Sequence, residues 1–160
     1  MAAQFENVSS DLIWEITRKQ NSFLVKRKQA GGVQFDRDPL NLTNVNNRKY
    51  SGLANTRSIG INAGPNNTVV MTTQVEKNAH KPASRLHTTS FKSSTPSRKL
   101  YRSIVSSTAK KGYRSDLRAE AVARASAVKH SQRPVKGGDK AQKLRGAKAR
   151  KAAAGHSAQN

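Results

Sequence analysis

The 160-residue chain contains no cysteine. That excludes a disulfide framework and any thiolate metal site, and it fits a reducing compartment. Acidic side chains are scarce: nine Asp and Glu face thirty Lys and Arg, a formal net charge of +21. No apolar run approaches the ~18 residues of a membrane-spanning helix. The start, MAAQFENVSSD, has no basic or apolar leader segment, so no secretory signal is expected. Signatures of catalysis are also missing. There is no G-x-S-x-G, no P-loop and no G-x-G-x-x-G. His80, His87, His130 and His156 include no pair three or four residues apart, so no two share a helix face for a metal. Asp36 and Asp38 flank Arg37 and precede Pro39, which reads as a solvated turn rather than a carboxylate pair. No enzymatic activity, cofactor, metal, membrane or small-molecule substrate is expected.

What is present is positive charge, unevenly placed. Residues 1–76 carry nine basic and six acidic side chains, a net of +3. Residues 77–160 carry twenty-one and three, a net of +18. A chain so charged repels itself unless a polyanion neutralises it. Nucleic acid is the expected polyanion.

The patterns suggest an α+β chain. A flexible N-terminus covers 1–10, a small antiparallel β-sheet domain 11–76 and a basic extended linker 77–94. Two basic helices occupy 95–134, and a basic tail rich in Lys, Ala and Gly fills 135–160. Leu12, Trp14 and Ile16 alternate with polar positions in LIWEITR, the period of a half-buried strand. SFLVKRKQ (22–29) alternates again, so the two runs, joined by the polar turn Lys19-Gln20-Asn21-Ser22, read as a hairpin that ends at Gly31-Gly32. Residues 33–56, rich in Asn, look irregular. TVVMTTQVE (68–76) is a β-branched strand after the Gly64-Pro65-Asn66-Asn67 turn. The predicted core of this half is Leu12, Trp14, Ile16, Phe23, Val25, Val69 and Met71. Thr95-Pro96 then opens a helix on which Leu100, Tyr101, Ile104, Val105 and Thr108 recur at helical spacing, closed at Lys110-Lys111-Gly112. A second helix starts near Ser115-Asp116 and ends before Pro134. Built from Ala and Val, it reads as a thin helix, suited to approaching phosphate and weak for packing a core. Beyond Pro134 the tail has no means of burying a core and is expected to order only on its partner.

The candidate RNA-binding residues follow the charge. Lys26, Arg27, Lys28, Arg48 and Lys49 give the first half basic edges. Arg98, Lys99 and Arg102 lie on the first helix, and Lys110, Lys111 and Arg114 fill the link. Arg118, Arg124, Lys129 and Arg133 follow on the second helix. Tyr50, Tyr101 and Tyr113 sit among these cations. Tyr101 reads as core packing, whereas Tyr113 suits either stacking on a base or a backbone contact. No helix-turn-helix, zinc finger, basic zipper or RNP aromatic signature is present. A Lys/Ala tail also suits duplex DNA, so a charge-driven chromatin binder is the competing reading.

Three stretches in series, LIWEITRKQNSFLVKR (12–27), NLTNVNNRKYSGLANTRSIGI (41–61) and YRSDLRAEAVARASAV (113–128), resemble the eukaryote-specific large-subunit ribosomal proteins numbered twenty-eight. The resemblance spans about residues 10–135. It implies a structural constituent of the large subunit, with an N-terminal antiparallel sheet and C-terminal helices, bound to large-subunit rRNA beside neighbouring ribosomal proteins. The implied site is the cytosolic ribosome, reached through the nucleolus. The family's basic helical segment maps onto Tyr113, Arg114, Leu117, Arg118 and the run to Val128. A related nucleolar ribosome-assembly family shares the Trp-containing start but carries cysteines and an acidic extension, both absent here.

Overall fold

In the computed structural model, residues 8–29, 31–134 and 145–151 are described. The predicted tail therefore falls largely outside the described residues. The first element is a helix, α1 (Ser10–Thr17), and not the predicted strand. Ser9 caps it, accepting from the Leu12 N–H at 3.2 Å, and Asp11 sits in the first turn. The alternation of Leu12, Trp14 and Ile16 was misleading because only Ile13 is buried. Leu12 and Ile16, four residues apart, share an outer face and are 52% and 65% exposed.

The hairpin partner consequently changes. Strand β1 (Leu24–Lys26) pairs antiparallel with β2 (Gln34–Asp36), with Val25 opposite Phe35. Gly31 and Gly32 belong to its connection, both with positive φ. Phe23 and Val25 are half-buried rather than core residues.

The Asn-rich stretch that follows is irregular but well bonded. Asp36 Oδ1 accepts from the Asp38 N–H (3.0 Å), and Asp38 accepts from Leu40 N–H (2.9 Å) and Gly52 N–H (3.0 Å). Asn41 Oδ1 accepts from the Thr43 and Asn44 N–H groups, and its amide donates to Val45 O. Asp36 and Asp38 do form a turn, but a buried one, not the solvated turn expected. Side chains thus supply the hydrogen bonds that a sheet ladder would otherwise give.

The main sheet is a meander of β3 (Ile59–Ala63), β4 (Val69–Gln74) and β5 (Leu86–Phe91). Ile61 faces Met71, and Met71 faces Thr89. The stretch 77–94, expected as a linker, therefore contributes the third strand. Pro39 and Leu40 cross so close to Gly60 that a Cβ there would collide with the Pro39 carbonyl.

Two helices cover one face of this sheet. α2 (Ser97–Ser107) opens after Pro96, whose carbonyl accepts from Leu100 N–H at 3.0 Å. It buries Leu100 and Ile104 at the expected spacing. Gly112, with φ of 71°, closes the turn after it. α3 (Arg118–Ser131) buries Ala121, Ala125 and Val128. The thin face predicted to meet phosphate instead meets the protein: Ala125 is 0% exposed, and small side chains let the helix lie close on β3. One core joins Ile59, Ile61, Val69 and Met71 of the sheet to Leu100, Ile104, Leu117, Ala121, Ala125 and Val128, with Leu42 from the irregular stretch. Of the seven core residues expected from the first half, Val69 and Met71 are buried.

Candidate nucleic-acid interface

The sixteen predicted residues divide by what their side chains already hold. One group is engaged within the fold. The Arg114 side chain is 15% exposed, and its backbone has positive φ. It donates to Arg57 O and Lys49 O, each at 2.7 Å, and forks onto both oxygens of Asp116 at 3.0 Å. This guanidinium holds the Asp116 carboxyl below the ordinary range. Tyr113 directs its hydroxyl at Gln74 O (2.8 Å) and Ser58 O (3.1 Å), and burial pushes the phenol's pKa up. Its ring packs against the core, which favours backbone contact within the protein over base stacking.

Arg48 pairs with Asp11 and donates to Ser10 Oγ, tying the irregular stretch to α1. Lys49 donates to Glu120 Oε1 (3.1 Å), which also accepts from Tyr50 OH (3.2 Å). Hydrogen bonding to its own backbone N–H, then Lys49, keeps the Glu120 carboxyl below its usual range, and Glu120 raises the Lys49 ammonium. Arg124 Nε donates to Ile61 O (3.2 Å), and Lys129 donates to Ser93 O.

The other group points outward. Lys26, Arg27 and Lys28 are exposed on β1 and its loop. Arg98, Lys99 and Arg102 are exposed on α2, Lys110 and Lys111 on the turn Ala109–Lys111, Arg118 at the start of α3 and Arg133 just beyond its C-cap Gln132. Among the described residues none of these ten side chains makes an ion pair or hydrogen bond. Asp116 and Glu120, the acidic residues within 77–134, are committed to Arg114 and Lys49. The α2–turn–α3 edge therefore presents cations without counter-charge.

Between the two helices runs a groove of about 340 Å³, lined by Tyr101, Arg102, Val105, Lys110, Arg118 and Val122. A second recess, about 520 Å³, lies beside Arg57, Lys77, His87 and Lys111. Sequence reasoning missed Val105, Val122, Arg57 and Lys77 as surface components. The spacing Tyr101–Val105 and Arg118–Val122, each four residues, was the available signal that they share helix faces. No group of three or more His, Cys, Asp or Glu able to hold a metal occurs among the described residues. Nor is any described helix long and apolar enough to cross a membrane.

Residues 12–131 match the Ribosomal L28e protein family, which takes in both helices, the groove and the sheet beneath them. The chain belongs to this family. The large ribosomal subunit protein eL28 of Schizosaccharomyces pombe is 45% identical over 131 residues, covering 81% of this chain and 97% of that protein. Its namesake in Dictyostelium discoideum is 37% identical over 129 residues, covering 81% and 92%. The Caenorhabditis elegans protein of that name is 39% identical over 90 residues, 56% of this chain and 67% of its own length. The family span ends at 131, so Arg133 and the tail lie beyond it.

Proposed function

We propose that this chain is a structural constituent of the large ribosomal subunit, that it binds rRNA through Lys and Arg contacts to phosphate, and that it supports translation without catalysing a reaction. The observation carrying this reading is the row of unpaired cations along α2, the following turn and the start of α3. Side chains tied up in the fold anchor the platform, and the free ones face outward to the polyanion. Such contacts set affinity and position rather than sequence readout. The names of the relatives support the subunit assignment. Neighbouring ribosomal proteins are the expected second class of partner, and the cytosolic ribosome, after nucleolar passage, the expected location.

Binding of the full chain to large-subunit rRNA, titrated over a range of salt, tests the phosphate contacts. Replacing Arg98, Lys99, Arg102, Lys110, Lys111 and Arg118 by Gln should flatten the log–log salt slope by about 4 to 5, if each neutralises one phosphate. An unchanged slope would rule this surface out. Equal affinity for duplex DNA and for the rRNA would favour a chromatin binder.

A further inference from the structure

The groove between α2 and α3 combines two chemistries that a plain phosphate-binding surface does not need. Its rim carries Arg102 from α2, Lys110 from the intervening turn and Arg118 from the first residue of α3. Its other lining is Tyr101, Val105 and Val122, all half-buried. The three cations meet without a counter-ion. The nearest carboxylates in sequence, Asp116 and Glu120, are turned to Arg114 and to Lys49 and Tyr50. Like charges gathered at one recess repel each other, so the folded chain alone leaves an electrostatic cost that an anion would remove. Loose phosphate would satisfy the cations but leave the apolar lining unused.

We propose that this groove seats a single unstacked nucleotide of an RNA strand. The base or ribose lies against Tyr101, Val105 and Val122, and Arg102, Lys110 and Arg118 hold the phosphates on either side. The inference rests on the RNA-binding reading above and adds the class of RNA feature recognised, a bulge or splayed loop rather than continuous duplex. An unpaired base has an exposed π-face and edge, which an aromatic ring and an apolar floor can take up. A paired base offers neither, because its faces are stacked inside the helix. The cationic rim is indifferent to sequence, and so is contact with a base face, so the groove selects for unstacking rather than for one base.

The test compares two RNA hairpins, identical except for one bulged adenosine, binding to the full chain in fluorescence anisotropy at fixed salt. The bulged hairpin should bind roughly ten-fold tighter, the factor that about 1.4 kcal/mol of stacking gives. Val122→Phe fills the groove without changing charge and should abolish that preference, so that the two hairpins bind alike. Tyr101→Leu, a second variant for the case that Val122→Phe melts early, should also reduce the preference. Equal affinity of the unsubstituted chain for the two hairpins overturns the proposal while leaving general RNA binding standing. So does a preference that survives both substitutions, or a Glu-rich, Leu-containing peptide that occupies the groove in place of either RNA. Absence of salt-dependent binding to any RNA would instead bring down the reading beneath it.

Discussion

Arg114 and Arg118 are four residues apart and look equivalent in the sequence, yet their side chains do different work. Arg114 spans two backbone carbonyls and a carboxylate, and a lysine has no planar fork to replace it. Arg114→Ala should lower stability by about 2–3 kcal/mol, seen as a lower midpoint in denaturant, with Arg114→Lys recovering little. Arg118→Ala should change stability by less than about 0.5 kcal/mol and instead weaken RNA binding, with a salt slope shallower by about 1. Acid stability is decided at the same scale. The Asp116 carboxyl titrates below its ordinary range when folded because of Arg114, and the Glu120 carboxyl does so because of its own backbone N–H and Lys49. The unfolded chain therefore takes up these protons first. The stabilisation is complete above about pH 5, clear of both unfolded values, and is lost as the pH falls through them toward the folded ones. Asp38 has the opposite sign: burial raises its pKa, so protonation as the pH falls relieves part of its cost. Thermal melts from pH 7 down to pH 2.5 should show a midpoint that starts to fall below about pH 5, and Asp116→Asn should shallow that fall.

The helices show what the sequence can and cannot reveal about an element. α3 was legible in position but not in role, because Ala121 and Ala125 give little hydrophobic signal. Their importance lies in their smallness: they let the helix sit against β3. Ala125→Leu should cost about 1–3 kcal/mol of stability by overpacking, a loss a solvent-facing helix would not suffer. α1 was misread for the opposite reason. Leu12, Trp14 and Ile16 alternate convincingly, but period two and an i, i+4 pair coincide over so short a run, and the Ser9 cap was the signal passed over. Ile16→Ser should accordingly leave the melting midpoint nearly unchanged, whereas Ser9→Ala should cost about 1 kcal/mol. β5 was hidden because its residues, LHTTSF, follow a polar basic run, and pairing with β4 rather than intrinsic pattern makes the strand. α2 was readable in its buried face, since Leu100 and Ile104 are bulky and regularly spaced, but not in its ends: Pro96 rather than Thr95 is the N-cap, and the helix stops at Ser107, before the Lys110-Lys111-Gly112 closure.

At the scale of the whole molecule, the division of charge reads directly from the sequence, and the division of labour among the charges does not. Cations of the second half include core-side anchors such as Arg124 as well as free ones such as Arg102, and only three-dimensional contacts separate the two. The hydrophobic core also ignores the boundary that charge suggests, joining strands from the first half to helices from the second. A net of +21 on a chain with these few carboxylates makes the isolated protein unfavourably self-repelling, a cost that a bound polyanion would relieve. The most direct test is sedimentation of a cell extract through a sucrose gradient at raised salt, probing for the intact chain and for the variant with six Gln replacements. The intact chain should sediment with large subunits, monosomes and translating polysomes, and the variant should be displaced toward the top of the gradient. Confinement to nuclear pre-ribosomal particles, recovery with chromatin, or co-sedimentation of both proteins alike with large subunits would contradict the proposed function.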